Sequence, residues 1–465
     1  MKKLLLILPI ILLSFLTIQS DFIEHWKADI ELKPATFGFA FYDLDSAEYI
    51  AEYNMEKVLS AASTQKLFTT AIALQTLGSD HQFSSTISYT GRIEGNKLRG
   101  DIYIFPNKNP CIASKRFSKS VDDIVTQIDV FLQKKSIKFL GGVQIIDPTY
   151  ETETLPRTWA WEDIGNYYGA NPTGTIFNEN TIEIYFESGA IGTPTKIIKT
   201  VPELPWLKYN NRVTSSKITK DLAYVFSEPN SRYLTIEGNI PAKRSSFKIK
   251  ASLPNPQKTL AHQVYSKLKE KGYAMSGKYK VKQVAKKQSH VIAVVKSATV
   301  IELINQTNQK SVNILAENLL ENSYDFSGKK TGKLEWTTKY LKNNFEINTS
   351  GMIIKDGSGL SRFNAISPQQ LVQLLTKMKN SKPFYESLPI AGESGTLKRF
   401  LVNSWAKGNL HAKSGSMQGV RSYAGYVKSK SGKNIAFAII INNANCSSSK
   451  TKRKMEALLD HISNL

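Results

Sequence analysis

Residues 60–67 read Ser60-Ala61-Ala62-Ser63-Thr64-Gln65-Lys66-Leu67. Ser63 and Lys66 are three positions apart, so a helix that starts near Ser63 places both side chains on one face. A serine hydroxyl is a poor nucleophile at neutral pH and needs a base within hydrogen-bond reach. In the first turn of that helix, unpaired backbone N–H groups and the positive dipole end also favour a developing oxyanion. The spacing therefore predicts a nucleophilic serine with a lysine base.

The pattern Ser-x-x-Lys recurs along the chain, and the surrounding sequence distinguishes this copy. The others start at Ser245, Ser266, Ser327, Ser404, Ser447 and Ser449. Most of them lie in polar, charged stretches, and none precedes a long apolar run. Residues 67–77 are apolar on most sides, which predicts a buried helix that stops at Gly78. A lysine that enters such a helix is unusual unless it is paired or used in chemistry.

Two later motifs supply the other groups that such chemistry needs. Ser311-Val312-Asn313 precedes a helix-like apolar run, and Lys413-Ser414-Gly415-Ser416 precedes a stretch over 420–427 that can form a strand. Lys330-Thr331-Gly332 matches the third motif as well, but no strand-like run follows it, so we interpret Lys330 as a solvated loop residue. Ser-x-x-Lys, Ser-x-Asn and Lys-Thr/Ser-Gly, in that order, are the signatures of penicillin-recognising serine acyltransferases.

Through these motifs the chain resembles the D-alanyl-D-alanine carboxypeptidase/endopeptidase family, the class C low-molecular-mass penicillin-binding proteins of peptidase family S13. Further stretches similar to the family are residues 159–170, 356–362 and 392–397. The likeness runs from about Thr36 to Leu465. The family often has a Gly-Gly-Asp-Pro-Thr-like segment where this chain has Pro106-Asn107-Lys108-Asn109-Pro110-Cys111, which leaves the role of that loop open.

The resemblance implies an α+β fold, with a penicillin-binding/β-lactamase-like transpeptidase domain and a mostly-β inserted region. The residues themselves predict strands over 36–42, 48–53, 420–427 and 434–441. The resemblance implies that these strands together form one antiparallel sheet covered by helices. An apolar stripe also predicts a last helix, and its members are Met455, Leu458, Leu459 and Ile462.

The long separation between Ser63 and Ser311 predicts an insertion, because a catalytic site needs both residues within a few ångströms. Between them the composition changes to lysine-rich, short strand-like runs, such as 139–146 and 181–186. The predicted divisions are a DD-peptidase domain over 21–84 and 297–465, and an inserted region over 85–296 in two subdomains.

The N-terminus has the pattern of a secretory signal peptide over residues 1–20. Lys2 and Lys3 precede an apolar run from Leu4 to Leu16, which is short for a membrane span. The segment before residue 21 is a mediocre cleavage site, so retention as an N-terminal anchor stays open. We predict an exported protein of the periplasm or cell envelope, and leave its association with the membrane or cell wall and its oligomeric state open.

The chain is strongly basic, with 61 lysines and arginines, 39 acidic residues and a formal charge of +22. Removal of residues 1–20, which hold two lysines and no acidic residue, leaves +20. Such a charge favours anionic polymers and surfaces. The charges are dispersed and no recognition motif accompanies them, so we do not expect a nucleic-acid partner. An enzyme beside acidic wall polymers suits this charge, and so does a solvated basic surface.

Cys111 and Cys446 are the two cysteines, and export would permit a disulfide between them. Their distance in sequence decides nothing, and we favour two free or buried thiols. The six histidines show no metal-ligand spacing such as His-x-x-x-His. We therefore expect neither a metal nor a cofactor.

The resemblance implies a serine DD-peptidase that cleaves the D-Ala-D-Ala terminus or D-Ala cross-links of peptidoglycan stem peptides and is inhibited by β-lactams such as penicillin. Ser63 would attack the peptide carbonyl and form an acyl-enzyme. Lys66 would take the proton of Ser63, and Ser311 would relay it to the leaving amine. Water would then release the acyl group.

The residues that would bind the substrate are Asn313 and the third motif, Lys413-Ser414-Gly415-Ser416. Asn313 would hold the substrate amide and orient Lys66, and Lys413 would attract the terminal carboxylate. The Ser414 hydroxyl would donate a hydrogen bond; this position is commonly threonine in the wider superfamily. Backbone N–H groups of Ser63 and Ser416 would form the oxyanion hole.

Each of these residues also has a structural interpretation. Ser311 and Asn313 could cap a helix, and Lys413 could be a surface charge at a strand end. Asp356, Ser358 and Arg362 more simply shape a turn near the site than perform chemistry. The order of the motifs favours the catalytic interpretation.

Two other functions use the same scaffold. A class A β-lactamase needs a Glu-x-x-x-Asn pattern, which Glu162 and Asn166 match, but in that class the glutamate follows the Ser-x-Asn motif. A non-catalytic wall-binding protein would not need all three motifs, which are intact. We therefore favour the DD-peptidase.

Overall fold

A computed structural model describes residues 21–465 of the chain. The predicted signal peptide, residues 1–20, lies outside the described residues. The chain divides into two compact units. The first contains the described residues up to Ile72, Asn305–Ser311 and Lys329–Leu465, and the second contains Ala73–Ile304 and Val312–Gly328. The functional boundaries drawn from the sequence, at residues 84 and 297, stay a prediction.

The first unit is built on one five-stranded antiparallel sheet. In spatial order its strands are Leu410–Met417, Val420–Lys428, Asn434–Asn442, Thr36–Asp43 and Glu48–Tyr53. Phe39, near the N-terminus, lies opposite Ile439. The prediction that strands from both ends of the chain share one sheet is confirmed, and the third motif lies on an edge strand.

Alternation along the strands gives this sheet one face of large apolar side chains and one face of smaller residues. Phe39 and Phe41 share a core with the last helix, Ser448–Ser463. The predicted stripe of that helix is fully buried and consists of Met455, Leu458, Leu459 and Ile462. On the other face a Cβ on Gly38 would lie 3.2 Å from Pro368 Cγ, so helix Pro368–Met378 approaches the strands closely there.

The α-helices of the described chain are residues 21–27, Lys66–Leu77, Asp122–Lys134, Trp161–Ile164, Pro256–Glu270, Val300–Lys310, Asn313–Phe326, Lys333–Phe345, Pro368–Met378, Lys382–Ser387 and Ser448–Ser463. The 3-10 turns are Ala62–Gln65, Lys115–Phe117, Tyr167–Gly169, Asn178–Asn180 and Gly395–Leu397. Within residues 21–465, no helix combines the length and the apolar character needed to span a membrane.

In the residues described, the second unit is mostly β and has four sheets. The five-stranded mixed sheet has the spatial order Tyr279–Lys282, Val143–Ile146, Ile102–Phe105, Gln82–Thr90 and Ser289–Thr299. The four-stranded sheet consists of Ala274–Met275, Phe139–Leu140, Lys97–Arg99 and Arg92–Glu94. The two three-stranded sheets are Lys196–Val201, Thr181–Ser188 and Arg244–Ser252, and Lys208–Ser216, Tyr233–Pro241 and Leu222–Phe226. Helices Asp122–Lys134 and Pro256–Glu270 contribute to the core of this unit.

One strand predicted in this region is wrong. Residues 139–146 form two short strands that belong to different sheets, because Gly141 and Gly142 interrupt them. A Cβ on Gly141 would lie 2.5 Å from the carbonyl oxygen of Gly100, and a Cβ on Gly142 would lie 2.1 Å from that of Lys278. The backbones approach too closely for a side chain at either position. The strand predicted over 181–186 is confirmed.

Candidate active site

Ser63 lies in the Ala62–Gln65 3-10 turn, directly before helix Lys66–Leu77. Ala62 has a φ of +47°, a left-handed conformation that costs free energy in a residue with a side chain. The Lys66 side chain is fully buried, and its Nζ donates a 2.8 Å hydrogen bond to Ser63 Oγ. The structure thus brings both residues together, although Ser63 precedes the α-helix instead of opening it. The predicted helix end is confirmed, because Gly78 follows with a φ of +81°.

Lys66 finds a second acceptor in the loop that follows Asp356. Its Nζ donates a 2.6 Å hydrogen bond to the backbone carbonyl of Ser358. The buried Asp356 carboxylate shapes this loop, since it accepts from the backbone N–H of Gly359 at 2.7 Å and of Ser361 at 2.6 Å. Asp356 and Ser358 therefore form a turn at the site, as expected. The carbonyl that orients Lys66 is a functional group that the sequence does not reveal.

Ser311 and Lys413 form the other pair in the first unit. Lys413 Nζ donates to Ser311 Oγ at 2.9 Å and to the carbonyl of Ser414 at 2.7 Å. Lys413 is fully buried, and this burial, followed by the positive charge of Lys66, lowers the pKa of Lys413 well below its ordinary value of 10.5. Ser311 has a φ of +56°, and the next helix has Val312 as its N-cap. The capping role for Ser311 and the surface position for Lys413 are both wrong.

Replacing Lys413 with methionine is expected to stabilise the fold while removing activity. Between the lowered pKa and about 10.5 the unfolded chain binds more protons at this lysine than the folded chain, so the wild type gains stability as pH rises through that range. Because methionine carries no buried charge, the variant should have the higher free energy of unfolding, by more at low pH than at high pH. Urea unfolding at pH 7 and pH 10 checks this, since the gain should shrink at the higher pH. Exposed Lys430→Met is the control, and an equal gain in both variants would contradict the prediction.

Asn313 belongs to the second unit and begins helix Asn313–Phe326. Its Nδ2 donates a 2.8 Å hydrogen bond to the carbonyl of Tyr168. The divergent segment 106–111 is tied to the same helix, since Lys108 Nζ pairs with Glu321 at 2.9 Å. The Tyr168 carbonyl is therefore a partner of Asn313 within the second unit. The role of its amide toward a substrate stays a prediction.

The strand of the third motif passes close to the Ser63 turn. A Cβ on Gly415 would lie 2.5 Å from the carbonyl oxygen of Ala61 and 3.1 Å from the backbone nitrogen of Ser63, so a side chain does not fit. Ser422 Oγ, on the adjacent strand, donates to the same Ala61 carbonyl at 2.6 Å. Gly415 therefore permits the close approach of edge strand and nucleophile. The oxyanion hole assigned to the N–H groups of Ser63 and Ser416 stays a prediction.

The remaining candidates lie apart from this chemistry. Lys330 is exposed in a loop before helix Lys333–Phe345, as predicted. Cys111 and Cys446 are free thiols, and burial raises the pKa of Cys111 to about 12. Across residues 21–465, no group of three or more histidine, cysteine, aspartate or glutamate side chains is arranged to hold a metal ion. The paired serines and lysines of the first unit suit covalent nucleophilic chemistry.

Nearly the whole chain is similar to one known protein family. Residues 19–464 match the model of a family described as D-Ala-D-Ala carboxypeptidase 3 (S13). The D-alanyl-D-alanine carboxypeptidase DacB of Haemophilus influenzae is 24% identical over 441 residues, which cover 92% of this chain and 90% of the relative.

Solved structures show the same fold. Penicillin binding protein 4 of H. influenzae matches with a TM-score of 0.81 and 21% identity, over 95% of this chain and 99% of that one. The same protein complexed with a β-lactam matches with a TM-score of 0.76 and 20% identity, over 96% and 99% of the two chains. The predicted α+β, penicillin-binding fold is therefore confirmed.

Proposed function

This chain belongs to the D-Ala-D-Ala carboxypeptidase 3 (S13) family, and we propose that it is a serine DD-peptidase of peptidoglycan. Its substrates are the D-Ala-D-Ala termini and D-Ala cross-links of stem peptides, which it cleaves through an acyl-enzyme. The observation that carries this proposal is the 2.8 Å hydrogen bond from the buried Lys66 amine to Ser63 Oγ. It pairs a nucleophile with its base before any substrate binds.

In the acylation step, Ser63 Oγ attacks the carbonyl carbon of the penultimate D-alanine, and the Lys66 amine, in its deprotonated form, accepts the hydroxyl proton. The hydrogen bonds of Lys66 to Ser63 Oγ and to the Ser358 carbonyl support this role, because they hold the amine in the direction of the nucleophile. The tetrahedral intermediate then collapses, the peptide C–N bond breaks, and Ser63 keeps the acyl group as an ester.

The leaving amine receives its proton through the Ser311 hydroxyl in this scheme. Ser311 Oγ accepts a 2.9 Å bond from Lys413, which orients the hydroxyl and leaves its O–H as the donor. Lys413 adds positive potential for the terminal carboxylate of the substrate. A water molecule then attacks the ester and regenerates Ser63.

We also propose that the protein is exported, acts in the periplasm or cell envelope, and is inhibited by β-lactams that acylate Ser63. The signal-peptide pattern of residues 1–20 supports export. The formal charge of +20 on the remaining chain suits work beside acidic wall polymers. The structural relative complexed with a β-lactam has the same fold.

Incubation with benzylpenicillin is expected to leave a stable adduct on the tryptic peptide 58–66, because Lys57 and Lys66 flank the nucleophile. Peptide mass spectrometry should place the adduct on Ser63 and not on Ser60 or Thr64. The same preparation should release D-alanine from a stem pentapeptide. An adduct on another peptide, or no adduct on a folded protein, would contradict the proposal.

The lifetime of that adduct also tests the β-lactamase alternative, in which the ester would hydrolyse rapidly.

Glu162 and Asn166, the pair that matches the class A pattern, have a structural role in the second unit. Asn166 Nδ2 donates to the Glu162 carbonyl at 2.6 Å, and Asn166 Oδ1 accepts from the backbone N–H of Val225 at 3.2 Å. These bonds occupy the Asn166 amide, which supports the DD-peptidase over the β-lactamase.

A further inference from the structure

We propose that Thr396 is a positioning residue that fixes the hydroxyl of Ser414 in the third motif, an inference that rests on the proposed function. Ser414 Oγ donates a 2.7 Å hydrogen bond to Thr396 Oγ1. Thr396 lies in the stretch 392–397, to which the sequence assigns no role. Its task would be to hold Ser414 in the rotamer that meets the terminal carboxylate of the substrate.

The need for such a residue follows from the serine at position 414. A threonine there would have a χ1 angle restricted by its branched β-carbon, whereas a serine has a choice of staggered rotamers. Ser414 is only partly buried on an edge strand, so packing does not select one of them. The hydrogen bond to Thr396 supplies the restraint that the missing methyl group would otherwise give.

Thr396 can act in this way because its loop is fixed to the same edge strand. The backbone N–H of Ala391 donates to the Leu410 carbonyl at 2.9 Å, and the N–H of Ala412 donates to the Pro389 carbonyl at 2.9 Å. These two bonds pair residues 389–391 with the strand just before Lys413. The loop is therefore held directly against the strand that carries Ser414.

Two further contacts fix the position of Thr396 itself. Gly395 has a φ of +55°, and a Cβ there would lie 2.7 Å from the carbonyl oxygen of Gln309, near the end of the helix that precedes Ser311. On the other side of Thr396, the side chain of Leu397 is fully buried, and its carbonyl accepts from the N–H of Gly392 at 3.0 Å. Thr396 thus lies between two closely packed neighbours.

The pair of hydroxyls can serve a bound carboxylate without breaking a covalent bond. A hydroxyl has one proton to donate and two lone pairs that accept. When a carboxylate approaches, Ser414 turns its proton toward the anion, and Thr396 donates its own proton to Ser414 Oγ. Thr396 therefore orients the donor without touching the substrate.

The test is a double-mutant cycle on D-alanine release from a stem pentapeptide, with kcat and KM measured separately. Thr396→Val should raise KM about 5- to 15-fold with a smaller effect on kcat, since one hydrogen bond is lost. Thr396→Ser should restore KM to within about twofold. In the Ser414→Thr background, Thr396→Val should change KM by less than about twofold, because the methyl group then restricts the rotamer.

Thr338→Val is the matched control. Thr338 Oγ1 donates a 3.2 Å hydrogen bond to the Leu334 carbonyl of its own helix. We expect this variant to have the KM of the wild type. An equal effect of Thr396→Val in both backgrounds, or no effect in either, would overturn the inference while leaving the proposed function intact. A wild-type protein that forms no Ser63 adduct and releases no D-alanine would overturn the proposed function and this inference with it.

Discussion

Replacing Ser63 with alanine is expected to abolish labelling by a fluorescent penicillin and to lower D-alanine release about 10⁴-fold or more. The variant has no oxygen that can form the acyl-enzyme. The neighbouring Thr64 hydroxyl cannot substitute, because it is buried and donates to the Ala61 carbonyl at 2.8 Å. Lys66 Nζ retains the Ser358 carbonyl as an acceptor, so the variant should fold with nearly wild-type stability. Labelling is read on a denaturing gel and D-alanine release in a coupled assay.

Ser60→Ala is the matched control for this experiment. Ser60 lies in the same tryptic peptide, but its Oγ contacts Met417 Sδ at 3.9 Å, and its backbone N–H donates to Asn442 Oδ1 at 3.1 Å. We expect the Ser60 variant to be labelled like the wild type. Undiminished D-alanine release by the folded Ser63 variant would refute the assignment of the nucleophile.

Replacing Gly359 with alanine should both destabilise the first unit and disable the site. Gly359 has a φ of +77°, and its Cβ would lie 2.1 Å from the carbonyl oxygen of Ala62, the residue before the nucleophile. The variant must therefore displace either the Ser63 turn or the loop whose Ser358 carbonyl orients Lys66. We expect a loss of about 2–5 kcal/mol in the free energy of unfolding, from backbone strain and overpacking together. D-alanine release should fall about 100-fold, because small displacements of a nucleophile have large effects.

Gly78→Ala separates backbone strain from overpacking as causes of the lost stability. Gly78 has a similar φ of +81°, but a Cβ there would meet no atom within 4 Å. Its replacement should cost about 1–2 kcal/mol through backbone strain alone and should leave kcat and KM unchanged. Chemical unfolding and D-alanine release are measured for both variants, and equal losses of activity would contradict the proposed contact with the Ser63 turn.

The parts of this protein that follow from local pattern could be predicted from its sequence. Alternating and continuous apolar runs predict strands Thr36–Asp43 and Asn434–Asn442 to within one residue of their ends. A heptad-like apolar stripe predicts the last helix. The choice of Lys413 over Lys330 depends on the strand-like run that follows Lys413, and Lys413 does lie on a sheet edge.

Features that depend on contacts between distant segments could not be predicted in this way. The Ser358 carbonyl binds Lys66, but a backbone acceptor has the same chemistry in every residue and leaves no mark in the sequence. The hydrogen bond of Thr396 with Ser414 likewise depends on how residues 389–391 pair with an edge strand. The break at Gly141 and Gly142 reflects neighbouring backbones that local periodicity does not report.

The pairing of the two chain ends in one sheet also governs when this protein can act. Strand Asn434–Asn442 is central in that sheet, so Thr36–Asp43 has no partner on that side until almost the entire chain has been synthesised. Phe39 can pair with Ile439 only after that synthesis. Contacts across such sequence distances form slowly because of their loop-closure entropy. The Ser63 turn therefore meets the Lys413 strand only late in folding. This order leaves the Ser63 site unassembled until the C-terminal strands have folded.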